Sequence, residues 1–144
     1  MKEASWEECL ENSDAITITP DKAKAKALIE TANERIDFLE KNAKTANPNF
    51  VFEGYYASLT ELLHALVLRE GLNVKNHVCL GFYLKDVLKR EELFRLFDDC
   101  RYKRNGLLYY GKRMAPEIAK ESIKKAKRLI EEIRIVLEGK KIGC

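Results

Sequence analysis

The sequence predicts an all-α protein, an antiparallel four-to-five-helix up-and-down bundle in a single domain spanning residues 1–144. Three observations carry this expectation. Apolar residues recur at spacings of three and four through most of the chain, the period of one helix face. Pro and Gly are few, three and seven in 144 residues, and several sit where helices would begin or end. The longest period-two alternation is AITIT, from Ala15 to Thr19, so strands contribute little. A chain of this length buries one core without help from metals or disulfides.

Residues 1–19 read as an acidic extension: a short helix, with Trp6 and Leu10 four apart and able to dock on the body, then an extended stretch. Thr19 followed by Pro20 has the pattern of a helix start, a hydroxyl cap before Pro at the first helical position. The helix that follows carries Ala25, Ile29, Ala32, Ile36, Leu39 and Ala43 on one face and breaks at Asn47-Pro48. A second helix covers 50–70 and is apolar on most sides, the pattern of a helix central in a bundle or shared with a partner chain. Gly71 closes it. A third helix is expected over 77–89 and a fourth over 91–110, stopped by Gly111. The last runs over 116–138 from Pro116, with the stripe Ala119, Ile123, Ala126, Ile130, Ile133 and Leu137. The core of the domain is therefore expected over 20–138, with short antiparallel connections.

Composition narrows the function classes. Net charge is only +3, too small to imply a polyanion partner by itself. Its distribution says more: residues 101–128 hold ten Lys or Arg against two Asp or Glu, while residues 1–14 hold one Lys against five acids. A basic segment on a nearly balanced chain is a local electrostatic footprint. Gln is absent, a tilt seen in heat-adapted proteomes. Cys9, Cys79, Cys100 and Cys144 form no Cys-x-x-Cys pair and read as buried free thiols. His64 and His77 have no metal-ligand spacing, so neither a metal nor a cofactor is expected. The acidic start lacks the features of a signal peptide. No apolar run approaches the ~18 residues of a membrane span. The expected location is cytoplasmic, with no membrane partner.

The segment CRYKRNGLLYYG, 100–111, interrupts ordinary packing with three cations, an Asn and two adjacent tyrosines. On a helix Arg101, Arg104 and Asn105 share one face with Leu108. A guanidinium forks onto a carboxylate or a phosphate with equal geometry. Asp98, Asp99 and Glu61 are carboxylates that would satisfy the arginines internally; a phosphate is the alternative. Tyr109 and Tyr110 are either bundle packing or a stacking surface for a base. His64, between Leu63 and Ala65, reads as a core or interface histidine. His77, near a helix start with Asn76 as a possible cap, is the better functional candidate.

In order along the chain, GYYASLTELLHALVLREG, NHVCLGFYLKDVL and RYKRNGLLYYG resemble three segments of the HEPN superfamily, small all-helical domains. The likeness covers about residues 20 to 138. It implies a HEPN-like bundle that forms homodimers, with the Arg motifs of two subunits across one cleft. It also implies an association with nucleotides or RNA, in some members as metal-independent ribonucleases paired with minimal nucleotidyltransferases. The ribonuclease motif is Arg, a polar residue, three variable residues, then His. Arg104 and Asn105 match its first two positions, but Tyr109 stands at the histidine. A phenol with a pKa near ~10 stays protonated at neutral pH and is a poor base.

The expectation is therefore a dimer, formed through the apolar second helix or the motif face, that binds a nucleotide or RNA phosphate without efficient cleavage. Arg101 and Arg104 would grip phosphate, Asn105 would orient it, and Tyr109 or Tyr110 would stack. Two alternatives stand beside it: a metal-independent, toxin-like ribonuclease using His77 with Arg104, and a non-catalytic interaction module whose basic last helix docks on an acidic protein, such as a nucleotidyltransferase partner.

Overall fold

The computed structural model of the chain describes residues 3–139. Six helices and one short strand pair run in the order α1 Trp6–Glu11, β1 Ala15–Thr17, α2 Lys22–Asn42, α3 Pro48–Arg69, β2 Leu72–Val74, α4 His77–Phe82, α5 Glu91–Tyr110 and α6 Pro116–Leu137. The mostly helical expectation holds.

α3 is the hub. It packs against α2 on one side and α6 on another, with α4 and α5 closing over it. Tyr55, Tyr56, Leu59, Leu62, Leu63 and Leu66 are all buried. Its surface is consumed by its own chain, so the reading of a central helix stands. The reading of α3 as a face shared with a partner does not, because no broad apolar stripe on it remains uncovered.

The start of α2 differs from the expected Thr19–Pro20 pattern. Asp21 is the cap, accepting a hydrogen bond from the Lys24 N–H at 3.0 Å. The preceding backbone is already engaged: the Ile18 and Asp21 N–H groups donate to the Gly71 and Leu68 carbonyls at 2.9 and 3.0 Å. Those bonds hold 18–21 extended along the end of α3, so the helix begins only after them. α2 ends at Asn42 and leaves Ala43 outside, exposed. Part of AITIT forms β1, antiparallel to β2 in the register Ala15↔Val74, Ile16↔Asn73, Thr17↔Leu72.

α1 docks through Trp6 and Cys9. The Trp6 ring meets Tyr83 edge-on at 5.3 Å, and its backbone N–H donates to Asp86 at 2.8 Å. Leu10, expected to dock, is exposed. Cys9 takes the inward position because it forms a disulfide with Cys79. That corrects the reading of both as free thiols: the partners lie 70 residues apart, on elements brought together only by the fold. Cys100 is a buried free thiol as expected, and Cys144 lies outside the described residues.

The helix expected over 77–89 is broken. α4 is capped by Asn76, whose side chain accepts the Cys79 N–H at 2.8 Å. After Phe82 the chain widens into a π-helical turn over Tyr83–Val87, with Leu88 N–H bonded to the Tyr83 carbonyl at 3.0 Å. Such a turn accommodates one extra residue without leaving the helix axis. Gly81 sets how near α4 comes to α5, since a Cβ there would lie 3.3 Å from the Phe97 ring and 3.4 Å from Phe94.

α5 ends as expected at Gly111, which adopts the left-handed conformation, φ 62°, that lacks a steric cost only for glycine. The turn into α6 is held from α3: the buried Asn49 side chain donates to the Met114 carbonyl at 3.0 Å and accepts its N–H at 2.9 Å. Among the described residues no helix is long and apolar enough to cross a membrane.

Candidate functional site

Three helices converge on one hollow of about 340 Å³, lined by Asn76, His77, Val78, Arg101, Arg104, Asn105 and Tyr109. α5 supplies the two arginines, Asn105 and Tyr109 from successive turns of one face. α4 supplies His77 from its first turn, and Tyr56 of α3 lies beneath both. The close α4–α5 approach at Gly81 brings the imidazole and the guanidinium to a common cavity.

The carboxylates divide the cations unevenly. Asp98 receives Arg101 through two bonds, Nη2 at 2.9 Å and Nε at 3.2 Å. Asp99 holds Lys103 at 3.3 Å and Lys125 at 3.0 Å. Glu61 is taken by Arg35. Arg104 has no carboxylate partner among the described residues. Its guanidinium sits over the Tyr56 ring at 5.4 Å and the Tyr109 ring at 5.8 Å, with a long 3.4 Å contact to the Asn105 side-chain oxygen. Aromatic faces stabilise a cation by about 0.5–2 kcal/mol and leave most of its donors unspent.

His77 is tied to Tyr56, with Oη 2.9 Å from Nδ1. The direction of that bond follows from bookkeeping. Tyr56 is 2% exposed, and Nδ1 is the one hydrogen-bond partner of its hydroxyl among the described residues. A buried O–H left without an acceptor costs about 1–3 kcal/mol, so the hydroxyl donates and Nδ1 accepts. The ring proton then resides on Nε2. Burial, followed by Arg104, His64 and Arg101, pushes the His77 pKa down to about 4, so the ring is neutral near neutral pH. Burial raises the Tyr56 phenol well above its ordinary value against the pull of Arg104 and Arg101. His64 stands edge-on to His77 at 6.3 Å, close to the site without lining it.

The hollow therefore presents donors: Arg104, the share of Arg101 that Asp98 leaves, the Nε2–H of His77 and the amide of Asn105. No carboxylate lines it. A second hollow of about 450 Å³ shares Arg101, Asn105 and Tyr109 and adds Tyr102, Tyr110, Lys112 and Arg113. Tyr102, Tyr109 and Tyr110 are 72%, 65% and 74% exposed, so none of them is bundle packing.

Of the residues singled out in the sequence, His77, Arg101, Arg104, Asn105 and Tyr109 meet in one cavity, and Tyr110 belongs to the adjoining one. Tyr56 was not singled out. Its one signal was the doubled tyrosine in a largely apolar helix. No protein-family model, curated protein or solved structure matches this chain.

Proposed function

We propose that the chain binds the phosphate of a nucleotide or an RNA strand at Arg104, without efficient cleavage, as a HEPN-like domain would. The observation that carries this reading is Arg104 itself, a guanidinium held by ring faces and no carboxylate, in a hollow lined by donors. Arg104 supplies the fork to phosphate oxygens. Arg101 contributes once its bond to Asp98 is shared. Asn105 and His77 add neutral donors, and Tyr109, shared by both hollows, offers a stacking face to a base. A second copy would seat on this same motif face, where Leu108, Tyr109 and Tyr110 stay exposed.

Metal-independent cleavage needs a base for the ribose hydroxyl. His77 Nδ1 is occupied by Tyr56 and Nε2 bears the proton, while Tyr109 offers only a phenol. The ribonuclease reading keeps one supporting observation, that His77 and Arg104 line the same cavity. It requires the Tyr56 bond to reverse, and that orphans the Tyr56 proton.

The test is ligand-dependent melting with mononucleotides and short oligoribonucleotides. Wild type is expected to gain stability with ligand, and Arg104→Ala to lose about 10–100-fold in affinity, the scale of a charge-assisted bond worth about 1.5–3 kcal/mol. No shift at millimolar ligand would end the binding reading. Cleavage of RNA by metal-free wild type, lost in His77→Ala, would replace it with the ribonuclease.

A further inference from the structure

Away from that cavity, the N-terminal arm brings sulfur and carboxylate together. The Sγ atoms of Cys9 and Cys79 and a carboxylate oxygen of Glu3 lie within 4.8 Å of one another. Both cysteines are fully buried, one on α1 and one on α4. We propose that the reduced chain holds one thiophilic divalent cation, zinc or a metal like it, between Cys9, Cys79 and Glu3, and that the disulfide and the metal are alternative clips for the same joint.

The placement of Glu3 is the argument. Its Oε1 lies 3.9 Å from Cys79 Sγ, and its Oε2 accepts a 3.1 Å hydrogen bond from Asn12 that fixes the carboxylate there. Asn12 orients this carboxylate, but a disulfide sulfur has neither a proton to donate nor a positive charge and so does not stabilise it. A cation shared with two thiolates does. Two thiolates and one carboxylate, with a water in the fourth position, would make a tetrahedral set suited to zinc, whereas magnesium and calcium prefer oxygen alone.

The chemistry balances without any residue from elsewhere. Binding to the thiol state releases one proton from each cysteine as two metal–sulfur bonds form. A two-electron oxidant of the peroxide class reverses it: two thiolates, hydrogen peroxide and two protons give the disulfide and two waters, and the cation is released with only the Glu3 carboxylate left to hold it. Either clip joins α1 to the helix that carries His77.

The experiment uses the full chain with Cys144→Ser, so that this thiol adds no ligand. The protein is reduced with a phosphine, freed of reductant and titrated with Co²⁺ under anaerobic conditions. One Co²⁺ per chain is expected, with thiolate-to-cobalt charge-transfer absorption that zinc abolishes. Cys79→Ser should remove that absorption, and Glu3→Gln should weaken binding about 10-fold or more while keeping it. Should the serine variant not fold, the unmutated pair decides: peroxide added to zinc-loaded protein must release one zinc for each disulfide formed. Absence of the absorption in the reduced chain, its persistence in folded Cys79→Ser, or zinc retained after the disulfide forms would each overturn the proposal. None of these outcomes touches Arg104, so phosphate binding stands or falls separately.

Discussion

Arg101 and Arg104 lie one helical turn apart, yet their surroundings assign them different work. Arg101 must leave or share Asp98 before it can meet a ligand, whereas Arg104 gives up only ring faces. Arg101→Ala should therefore weaken ligand binding several-fold less than Arg104→Ala, as read by calorimetry on the two variants. Tyr56→Phe tests the hydrogen-bond bookkeeping. Removing the hydroxyl should lower stability by about 1–2 kcal/mol and free His77 Nδ1 to carry the proton, a tautomer change visible in ¹⁵N NMR of the imidazole. An unchanged Nε2–H tautomer in the variant would mean that Tyr56 does not set it. Cys100 gives a prediction in pH. Burial, with the Asp99 charge adding to it, pushes its thiol from its ordinary 9.0 up to about 12. Above about pH 9 the unfolded chain loses this proton and the folded chain keeps it, so stability is complete below pH 9 and falls as pH rises toward 12. The slope from one such group is about 1.4 kcal/mol per pH unit. Cys100→Ala should flatten the decline in melting temperature between about pH 9 and pH 11 relative to wild type.

Among the elements, the joint between α4 and α5 decides whether a site exists. Gly81→Ala puts a methyl 3.3 Å from Phe97 and 3.4 Å from Phe94. Two stacked rings, Phe82 and Phe94, stand at the same joint, so relief must come from moving the helices apart. An overpacked contact of this kind costs about 1–3 kcal/mol. The variant should lose stability by that amount and bind phosphate ligands more weakly, even though residue 81 does not line the hollow. Full affinity in a destabilised variant would show that the helix spacing does not set the site. The same joint shows what was legible in the sequence. α5 and α6 were readable because their limits are local: Gly111 needs a left-handed turn and Pro116 suits a first helical position. The β1–β2 pair and the Cys9–Cys79 bond were not, because each depends on partners far along the chain, and the π-helical turn carries no sequence signature of its own. In the α5 half of the site, Arg101, Arg104 and Asn105 followed from helical spacing, while Tyr109 entered through the tyrosine pair and the motif resemblance. Tyr56 did not, since its ring reads as core and its hydroxyl's partner lies 21 residues away on another helix.

For the molecule as a whole, the open question is how far the positive charge of 101–128 acts as one surface. Lys103 and Lys125 are tied to Asp99 and Arg101 to Asp98, so several of those cations are already matched within the fold. Among the described residues Lys120, Lys124 and Lys127 have no such carboxylate. With Lys44 they border a separate groove of about 460 Å³, and Lys127 rests over the Tyr55 ring. Each phosphate neutralised on a single strand contributes about −0.7 to the slope of log affinity against log salt. Binding confined to Arg104 and Arg101 predicts a slope near −1.4 for a short oligoribonucleotide. A ligand that also tracked α6 would show a slope roughly twice as steep. The variant Lys124→Glu/Lys127→Glu separates the two cases: local binding leaves slope and affinity nearly unchanged, and an extended track loses both. If the double variant instead abolishes capture of an acidic protein while nucleotide affinity is unaltered, α6 is a docking surface in its own right and the phosphate site acts beside it.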